Sequence, residues 1–467
     1  MLFSSMSFIY LFLPLVCLLY FLVRANLRNY VLLGASIFFY AWGEPEYLAI
    51  MLLTILVNYI GGILIARYPK YKILSLTLTI TANLGFLAYF KYFNFFVENI
   101  NLLFKGAGLN FIEVIMPIGI SFYTFQAISY VVDVYRGEVK VQRDIGKLAL
   151  FICLFPQLIA GPIVKYNDIA DQIDSREVKA DKVILGIKRF IIGLAKKVLL
   201  ANTLGAVADK IFELSPDNVQ TSIAWIGSLA YSFQLFFDFS GYSDMAIGLG
   251  LIFGFHIKEN FDYPYISKSI TEFWRRWHIS LSTWFKQYLY IPLGGNRVSK
   301  GRNYFNLGVV FLLTGFWHGA AWNFVVWGIW HGLFIIFEKI TGWHKNNTGR
   351  WINSIKHLYT IFVFVIGWVM FRAENLDYAW RYIQNMFGLI SNKIILYETP
   401  FYFDNIEIIA FVAALLCSVP LFSNILHIPQ ERKWLNGLVN AWLLFLFILS
   451  TAAIAASTYN PFIYFRF

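Results

Sequence analysis

The chain has 467 residues, of which 58% are hydrophobic, 19% aromatic and only 14% charged. Soluble domains carry roughly 25% charged residues, so this chain has too little polar surface to cover a water-soluble globule. Basic cytoplasmic loops of a membrane protein account for the formal net charge of +11, and we expect no nucleic-acid partner.

Apolar segments recur along the whole chain and predict its membrane helices. The longer ones have about the 20 residues that a spanning helix needs, whereas the shorter ones fit broken, re-entrant, interfacial or buried helices. Only helices and closed barrels satisfy their backbone in lipid, so these continuous runs predict an all-α integral membrane fold with about 11–13 membrane helices. We treat residues 1–467 as one domain. In chain order the segments are residues 8–23, 30–41, 47–66, 73–92, 115–132, 148–164, 183–201, 223–239, 245–255, 304–316, 322–340, 357–371, 406–421 and 434–456.

The charges between these segments predict the topology. Loops rich in Lys and Arg are assigned to the cytoplasmic side, and two loops with acids but no bases, residues 213–220 and 397–407, to the outside. The first apolar segment lacks a preceding basic residue and a cleavage site, so it predicts a membrane helix rather than a signal peptide. The basic loops are residues 24–28, 67–72, 136–147, 176–197, 286–302 and 339–350.

Two features modify this simple pattern. Pro156 and Pro162 interrupt an apolar segment and predict a break in its helix, which is tolerated only where the backbone is buried in protein or lines a cavity. Residues 181–200 mix basic and apolar residues, which predicts a helix in the cytoplasmic interface whose long basic side chains extend into the headgroup region. The bases are Lys182, Lys188, Arg189, Lys196 and Lys197.

Polar side chains collect in three segments of this apolar chain. Residues 233–244 include Asp238, residues 123–133 include Gln126, and residues 259–264 form a turn-rich loop. One such segment alone would be explained by hydrogen bonds between helices. Three of them together predict a pore or a tunnel.

Two histidines are the candidates for chemistry. His278 lies in FWRRWHISLSTW, residues 273–284, on a helix that Ser269 or Thr271 is expected to cap together with Glu272. An ionisable side chain within a membrane protein indicates a functional site, because it is costly to bury in lipid.

His318 lies in TGFWHGAAWN, residues 314–323, and His331 follows in WGIWHG. An imidazole can remove a proton from a hydroxyl whose oxygen attacks an acyl carbon. A histidine that only packs between helices is the alternative interpretation for both positions. No metal-ligand spacing, phosphate-binding loop, dinucleotide fingerprint or nucleophile elbow occurs, so we expect no metal and no bound cofactor.

Several segments resemble the signature sequences of the membrane-bound O-acyltransferase family. They are most similar to its alginate and peptidoglycan O-acetyltransferase branch, and the resemblance extends through most of the chain. The segments are residues 38–43, 117–125, 155–162, 273–284, 290–297, 316–323 and 327–332.

The resemblance implies a ring of tilted helices around a central tunnel that joins a cytoplasmic acyl donor to an outer acceptor. It implies that His318 is the catalytic histidine and that His278 is its partner, at a position where the family has Asn, Asp or His. It also places His331 close to this pair. We expect Asn323, Trp317, Gln126 and Asp238 to contribute around the same site.

The last residues, FIYFRF, are similar to a Phe-x-Tyr-x-x-Phe terminus found in this family and on a small partner peptide of the D-alanylation system. The resemblance implies that Tyr464, within the tail of residues 457–467, could carry the acyl group as an ester, which divides one difficult transfer into two. An aromatic anchor at the membrane interface is the alternative.

The resemblance therefore implies that the chain is an O-acetyltransferase of the bacterial cytoplasmic membrane. Acetyl-CoA is the expected cosubstrate, and an extracytoplasmic SGNH or esterase-like transferase is the expected partner that acetylates peptidoglycan or an alginate-like exopolysaccharide. D-Alanyl transfer to teichoic acid is one alternative. A secondary transporter, which usually shows internal repeats that are absent from this sequence, and a membrane scaffold are the alternatives of another class.

Overall fold

The computed structural model describes residues 1–104, 108–112, 114–159, 161–345, 349–390, 403–422 and 432–463. Within these ranges all regular secondary structure is helical, which confirms the all-α prediction. The α-helices are α1 (Leu13–Leu22), α2 (Arg28–Gly43), α3 (Leu48–Arg67), α4 (Lys72–Leu87), α5 (Phe93–Leu103), α6 (Ile120–Arg136), α7 (Ile145–Cys153), α8 (Phe155–Leu158), α9 (Tyr166–Asp174), α10 (Ala180–Ala195), α11 (Asn202–Phe212), α12 (Thr221–Ile252), α13 (Ile270–Arg276), α14 (Ile279–Phe285), α15 (Lys300–His318), α16 (Trp322–Thr341), α17 (Arg350–Arg372), α18 (Leu376–Met386), α19 (Asn405–Cys417) and α20 (Lys433–Ala456).

Long apolar helices give the protein its membrane character. In the described part of the chain, five helical stretches are long and apolar enough to cross a bilayer: Pro45–Arg67, Pro69–Leu103, Trp322–Thr341, Arg350–Arg372 and Lys433–Ala456. Two shorter apolar helices, Phe8–Leu22 and Asn405–Cys417, accompany them. The number of such stretches is below the about 11–13 membrane helices expected from apolar runs, because several of those runs fold as shorter helices.

The segment around Pro156 shows how an apolar run is divided. Helix α7 ends at Cys153, Leu154 leaves the helical conformation, and α8 begins at Phe155. Pro156 then occupies the first turn of α8, where a missing N–H costs nothing. The hydroxyl of Ser36 accepts the N–H of Phe155 at 3.1 Å, which satisfies the backbone at the break. The predicted helix break is therefore confirmed.

The chain packs into two compact units, and the first comprises residues Met1–Phe190 and Ser243–Lys258. Polar contacts between helices hold this unit together. Asn58 of α3 and Asn83 of α4 exchange two amide hydrogen bonds, of 2.9 and 3.1 Å, and both side chains are fully buried. Arg189 forms an ion pair with Asp244 at 2.8 Å. Such pairs satisfy polar groups that lipid cannot.

The second unit comprises residues Ile191–Tyr242 and Glu259–Phe467. Helices α15 and α16 pack tightly within it because glycines face each other at their crossing. A Cβ added to Gly315 would lie 2.3 Å from the carbonyl oxygen of Phe324, and one added to Gly328 would lie 2.3 Å from that of Phe311. Small residues allow the two backbones to approach closely. The crossing sets the end of α15, which carries His318, against α16.

Lys197 contradicts part of the interfacial prediction for residues 181–200. Its side chain is 2% exposed and forms an ion pair with Asp238 at 2.7 Å, so it does not reach toward headgroups. The periodicity of one helix shows which residues share a face, but it does not show a carboxylate on another helix. Pairing with that carboxylate allows the ammonium of Lys197 to be buried in the protein instead of extending to the headgroups.

Candidate functional site

Two short helices, α13 and α14, position His278. The hydroxyl of Ser269 accepts the N–H of Glu272 at 3.0 Å, which confirms the predicted cap of α13. The carboxylate of Glu338, a fully buried residue of α16, accepts the N–H groups of Ile270 at 2.5 Å and Thr271 at 2.9 Å. Negative charge at a helix N-terminus is stabilising. The start of α13 is therefore fixed to α16, which the sequence pattern did not predict.

His278 occupies an unusual backbone conformation between these helices. Its φ of 45° and ψ of 54° lie in the left-handed region, which few non-glycine residues adopt. Strain of this kind persists only where surrounding contacts enforce it, and it is often found at functional sites. Here the carbonyl of Asn260 accepts the N–H of Ile279 at 2.9 Å. The turn is thus held by the loop that precedes α13.

The side chain of Asn260 also orients the imidazole. Its Oδ1 accepts the N–H of Ser280 at 3.1 Å and the Ser280 hydroxyl at 2.8 Å, and it lies 3.2 Å from Nδ1 of His278. An amide oxygen at that position favours the proton on Nδ1 and leaves Nε2 as the basic nitrogen. In the described part of the chain, Nε2 has no hydrogen-bond partner. His278 lies outside the five long apolar stretches, and burial lowers its pKa from 6.5 to about 3.

His318 is the last residue of α15, and Gly319 continues in an extended conformation. The imidazole is buried among aromatic rings. Its centroid lies 4.9 Å from that of Trp317, 5.0 Å from that of Trp327 and 5.1 Å from that of Phe371, each at a steep interplanar angle. These rings fix the orientation of the imidazole by packing.

Trp317 brings the two predicted histidines into one cluster. Its ring centroid lies 4.9 Å from that of His318 and 6.3 Å from that of His278. Phe239 of α12 packs edge-on against His278 at 4.6 Å. Residues far apart in the sequence therefore meet around one indole.

His331 belongs to the same aromatic cluster. Its ring lies 5.2 Å from Trp274, 5.1 Å from Trp327 and 6.3 Å from Trp368, and the side chain is fully buried. Among the described residues neither ring nitrogen has a hydrogen-bond partner. A Cβ at position Gly367 would lie 2.7 Å from its Nε2, so this glycine makes room for the imidazole.

Asn323 and Asp238, two further predicted residues, form polar contacts with other helices. Asn323 donates to the carbonyl of Ala373 at 2.8 Å and so connects the start of α16 to the end of α17. Asp238 pairs with Lys197, although its neighbour Phe239 contacts His278.

Two further residues were predicted to contribute to this site. Gln126 is buried in α6 of the first unit, and its amide atoms have no hydrogen-bond partner among the residues that the structure describes. Tyr464 lies outside the described residues.

A cavity of about 210 Å³ adjoins the aromatic cluster. Thr314, one turn before His318 on α15, lines it together with Trp274, which contacts His331. The exposed side chains of Arg275 and Lys286 add two positive charges to a largely apolar lining. This combination suits a ligand with an apolar arm and an anionic group.

Sequence reasoning missed the contacts that Asn260, Glu338 and Lys197 make. Each is a polar residue in or beside an apolar segment, which is a usable signal. Their partners, however, depend on the packing of segments that are distant in sequence. The loop with Asn260 was identified, but its contact with His278 depends on the left-handed backbone at that residue.

Comparisons with known proteins agree with this architecture. The model of the membrane-bound O-acyltransferase family matches residues 65–374. The probable alginate O-acetylase AlgI of Pseudomonas putida is 42% identical, with 100% of both chains covered. The peptidoglycan O-acetyltransferase of Helicobacter pylori is 38% identical, over 83% of this chain and 80% of the relative. The teichoic acid D-alanyltransferase of Bacillus subtilis is 30% identical, over 55% of this chain and 69% of the relative. The chain therefore belongs to the membrane-bound O-acyltransferase family and is a multi-pass membrane acyltransferase.

Proposed function

We propose that the protein accepts acetyl groups from cytoplasmic acetyl-CoA and passes them across the bacterial cytoplasmic membrane. A separate extracytoplasmic SGNH or esterase-like transferase then acetylates hydroxyls of a cell-wall polysaccharide or an alginate-like exopolysaccharide. The similarity to an alginate O-acetylase and a peptidoglycan O-acetyltransferase supports the acetyl group and the class of acceptor.

One observation carries the proposal: His278 and His318 meet around Trp317 in a buried cluster. His318 acts as the general base and takes the proton of an acceptor hydroxyl as its oxygen attacks the thioester carbonyl. The C–S bond breaks, and the imidazolium returns the proton to the CoA thiolate, so the base is regenerated. His278, oriented by Asn260, positions and polarises the groups around this reaction.

The cavity beside the cluster is the proposed site for the donor. Arg275 and Lys286 would meet the phosphates of CoA, and the apolar lining would take its pantetheine arm. Thr314 lines this cavity one turn before His318, so the thioester would approach His318 past this side chain. The net charge of +11 favours a polyanionic cosubstrate in the same way.

Tyr464 is the proposed first acceptor. Its phenol would lose its proton to His318, form an aryl acetyl ester and release CoA. A hydroxyl of the partner transferase or of the glycan would then take the acetyl group and restore the phenol.

The purified protein in lipid nanodiscs tests this function directly. With labelled acetyl-CoA, the wild type is expected to release CoA and transfer the label to an acceptor. The His318→Ala variant should fold normally, but its rate should fall by about 10²–10⁴, the usual effect of removing a general base. Release of CoA and transfer of the label by this variant at the wild-type rate would contradict the role of His318.

A further inference from the structure

The C-terminal segment after α20 is bound to the second unit by an unusual set of polar contacts. Helix α20 ends at Ala456, and Ser457 begins an extended segment. Residues 459–463 then contact side chains from α11, from α12 and from the segment Lys196–Ala201 between α10 and α11. These contacts involve backbone groups as well as side chains of the segment, so they specify its position against these helices.

A buried ion pair lies at the centre of these contacts. Nζ of Lys197 and Oδ1 of Asp238 are 2.7 Å apart, and both side chains are 2% exposed. Lys197 donates to the carbonyl oxygen of Pro461. Oδ2 of Asp238 accepts the N–H of Ile463 at 3.0 Å. Each charge of the pair is thus completed by one backbone group of the C-terminal segment.

Additional polar contacts hold the beginning of the segment. The hydroxyl of Tyr459 donates to Oδ2 of Asp209 at 2.7 Å, and the other oxygen of that carboxylate forms an ion pair with Arg372 at 2.7 Å. Nδ2 of Asn202 donates to Oδ1 of Asn460 at 3.2 Å. Asp209 is therefore oriented by Arg372 to receive the tyrosine.

The apolar side chains of the segment are buried as well. Phe462 is 4% exposed and packs on Tyr242 with a centroid distance of 4.8 Å, and Ile463 is 5% exposed. Nζ of Lys197 lies 5.9 Å from the ring of Phe462. Pro461 has no N–H, so its carbonyl is the only backbone group there that needs a partner.

The pairing of opposite charges with opposite backbone groups fixes the register of the segment. An ammonium must face a carbonyl oxygen and a carboxylate must face an N–H, so a shift by one residue would break both bonds. A buried ion pair also needs such additional hydrogen bonds to offset its desolvation. Docking of the segment and burial of the pair are therefore mutually dependent.

We propose that Lys197 and Asp238, together with Asp209 and Tyr242, form a docking site for the C-terminal segment of this chain. Lys197 is a positioning residue that sets the register of the segment up to Ile463. The neighbour of Asp238 on α12, Phe239, contacts His278, which links the docking site to the predicted catalytic cluster. The functional part of this inference rests on the proposed acyl transfer, whereas docking itself does not.

Hydrogen exchange measured by mass spectrometry on the full-length protein in nanodiscs tests the docking site. The double variant Lys197→Met with Asp238→Leu replaces the pair by apolar side chains, which is often compatible with folding. Its C-terminal peptide is expected to exchange at least roughly tenfold faster than that of the wild type, because opening of the segment no longer breaks the two bonds. Equal protection in both proteins would overturn the proposal.

The matched control is Arg189→Met with Asp244→Leu. It removes another cation–carboxylate pair between α10 and α12, in the first unit, which has no role in the docking site. This control is expected to leave exchange of the C-terminal peptide unchanged. Faster exchange in the control to the same extent would show a general loss of stability and overturn the specific assignment.

The charge-reversed variant Lys197→Glu with Asp238→Lys tests the register. It restores an ion pair but presents a carboxylate to the carbonyl of Pro461, so the segment should remain unprotected even where thermal stability recovers. Wild-type protection in this variant would contradict the assigned polarity.

Kinetics separate a positioning role from a structural one. For acetyl transfer, the apolar double variant should lower kcat by roughly tenfold or more and leave the KM for acetyl-CoA unchanged, because the donor cavity is intact. An unchanged kcat despite a released segment would overturn the positioning role.

The His318→Ala variant tests the catalytic proposal separately. Acetyl transfer by this variant at the wild-type rate would contradict the proposed function, but it would not affect the docking site tested by hydrogen exchange.

Discussion

The Asn260→Ala variant should release the side chain of His278 from its position, while His278 and His318 both remain in the sequence. The side-chain oxygen of Asn260 accepts two hydrogen bonds from Ser280 and lies 3.2 Å from Nδ1 of His278. Alanine retains the backbone carbonyl that binds Ile279 but removes all of these side-chain contacts. The left-handed backbone at His278 would then be held by fewer contacts than its strain requires.

The expected loss in the free energy of unfolding follows from the burial of Asn260 and His278. Asn260 and His278 are each 1% exposed, so water cannot replace the lost amide oxygen without a rearrangement. A buried donor without an acceptor costs about 1–3 kcal/mol. Ser280 is only partly buried, and its two groups regain some bonding to water, which limits their contribution to about 1 kcal/mol. The free energy of unfolding should therefore fall by about 2–4 kcal/mol.

The effect on catalysis should be larger than on folding. Displacement of a catalytic group by about 1 Å can reduce a rate by about 10²-fold, and His278 would lose the side-chain contact that orients it. The assay combines thermal unfolding in nanodiscs with acetyl transfer from labelled acetyl-CoA. We expect a reduced kcat and an unchanged KM for the donor.

Two further variants make the comparison specific. Asn260→Asp keeps an oxygen at the same position and should retain the turn. Ser280→Ala removes a single hydroxyl and should cost only about 0.5–1.5 kcal/mol, with transfer close to that of the wild type. If Asn260→Ala matched Ser280→Ala in both stability and rate, the assigned role of Asn260 would be wrong.

Three other predictions concern packing, the acyl carrier and the donor. Gly328→Ala would place a Cβ 2.3 Å from the carbonyl oxygen of Phe311. This overpacking should lower the free energy of unfolding by about 1–3 kcal/mol or more. Unchanged thermal unfolding would contradict the tight crossing of α15 and α16. Tyr464→Phe should abolish both transfer and an acetyl ester detectable by mass spectrometry of the C-terminal peptide, and full activity would favour the membrane anchor instead. Arg275→Glu with Lys286→Glu should raise the KM for acetyl-CoA roughly tenfold or more and leave an acyl donor without phosphates unaffected, and an equal effect on both donors would exclude phosphate recognition.

Composition and local pattern were sufficient to predict the class of fold. The scarcity of charge indicated a membrane protein, and Pro156 marked a real helix break. Fewer helices in the described ranges reach full spanning length than there are apolar runs, because an apolar run shows burial but not its cause. Lipid and a protein core select the same residues, and the second unit buries many apolar side chains within itself.

Some of the side chains that form the aromatic cluster could be predicted from the sequence. Motifs identified His278, His318 and Trp317, and the structure places all three together. The contacts that hold them were not predictable, because they join distant segments through single polar atoms. Glu338 illustrates the difficulty: one acid in an apolar helix has many available partners, and only the folded chain shows that it caps α13.

The backbone at His278 restricts which amino acids can replace it. A φ of 45° disfavours β-branched and bulky side chains, whereas Asn, Asp and His are several-fold enriched in this conformation. The alternatives that the family resemblance implies at this position, Asn and Asp, are therefore the other polar residues that the turn itself accepts. The backbone conformation therefore limits the residues accepted at this position independently of their role in the reaction. Asn or Asp should preserve the turn even where the rate of transfer falls, whereas Val or Ile should disrupt both the turn and the reaction.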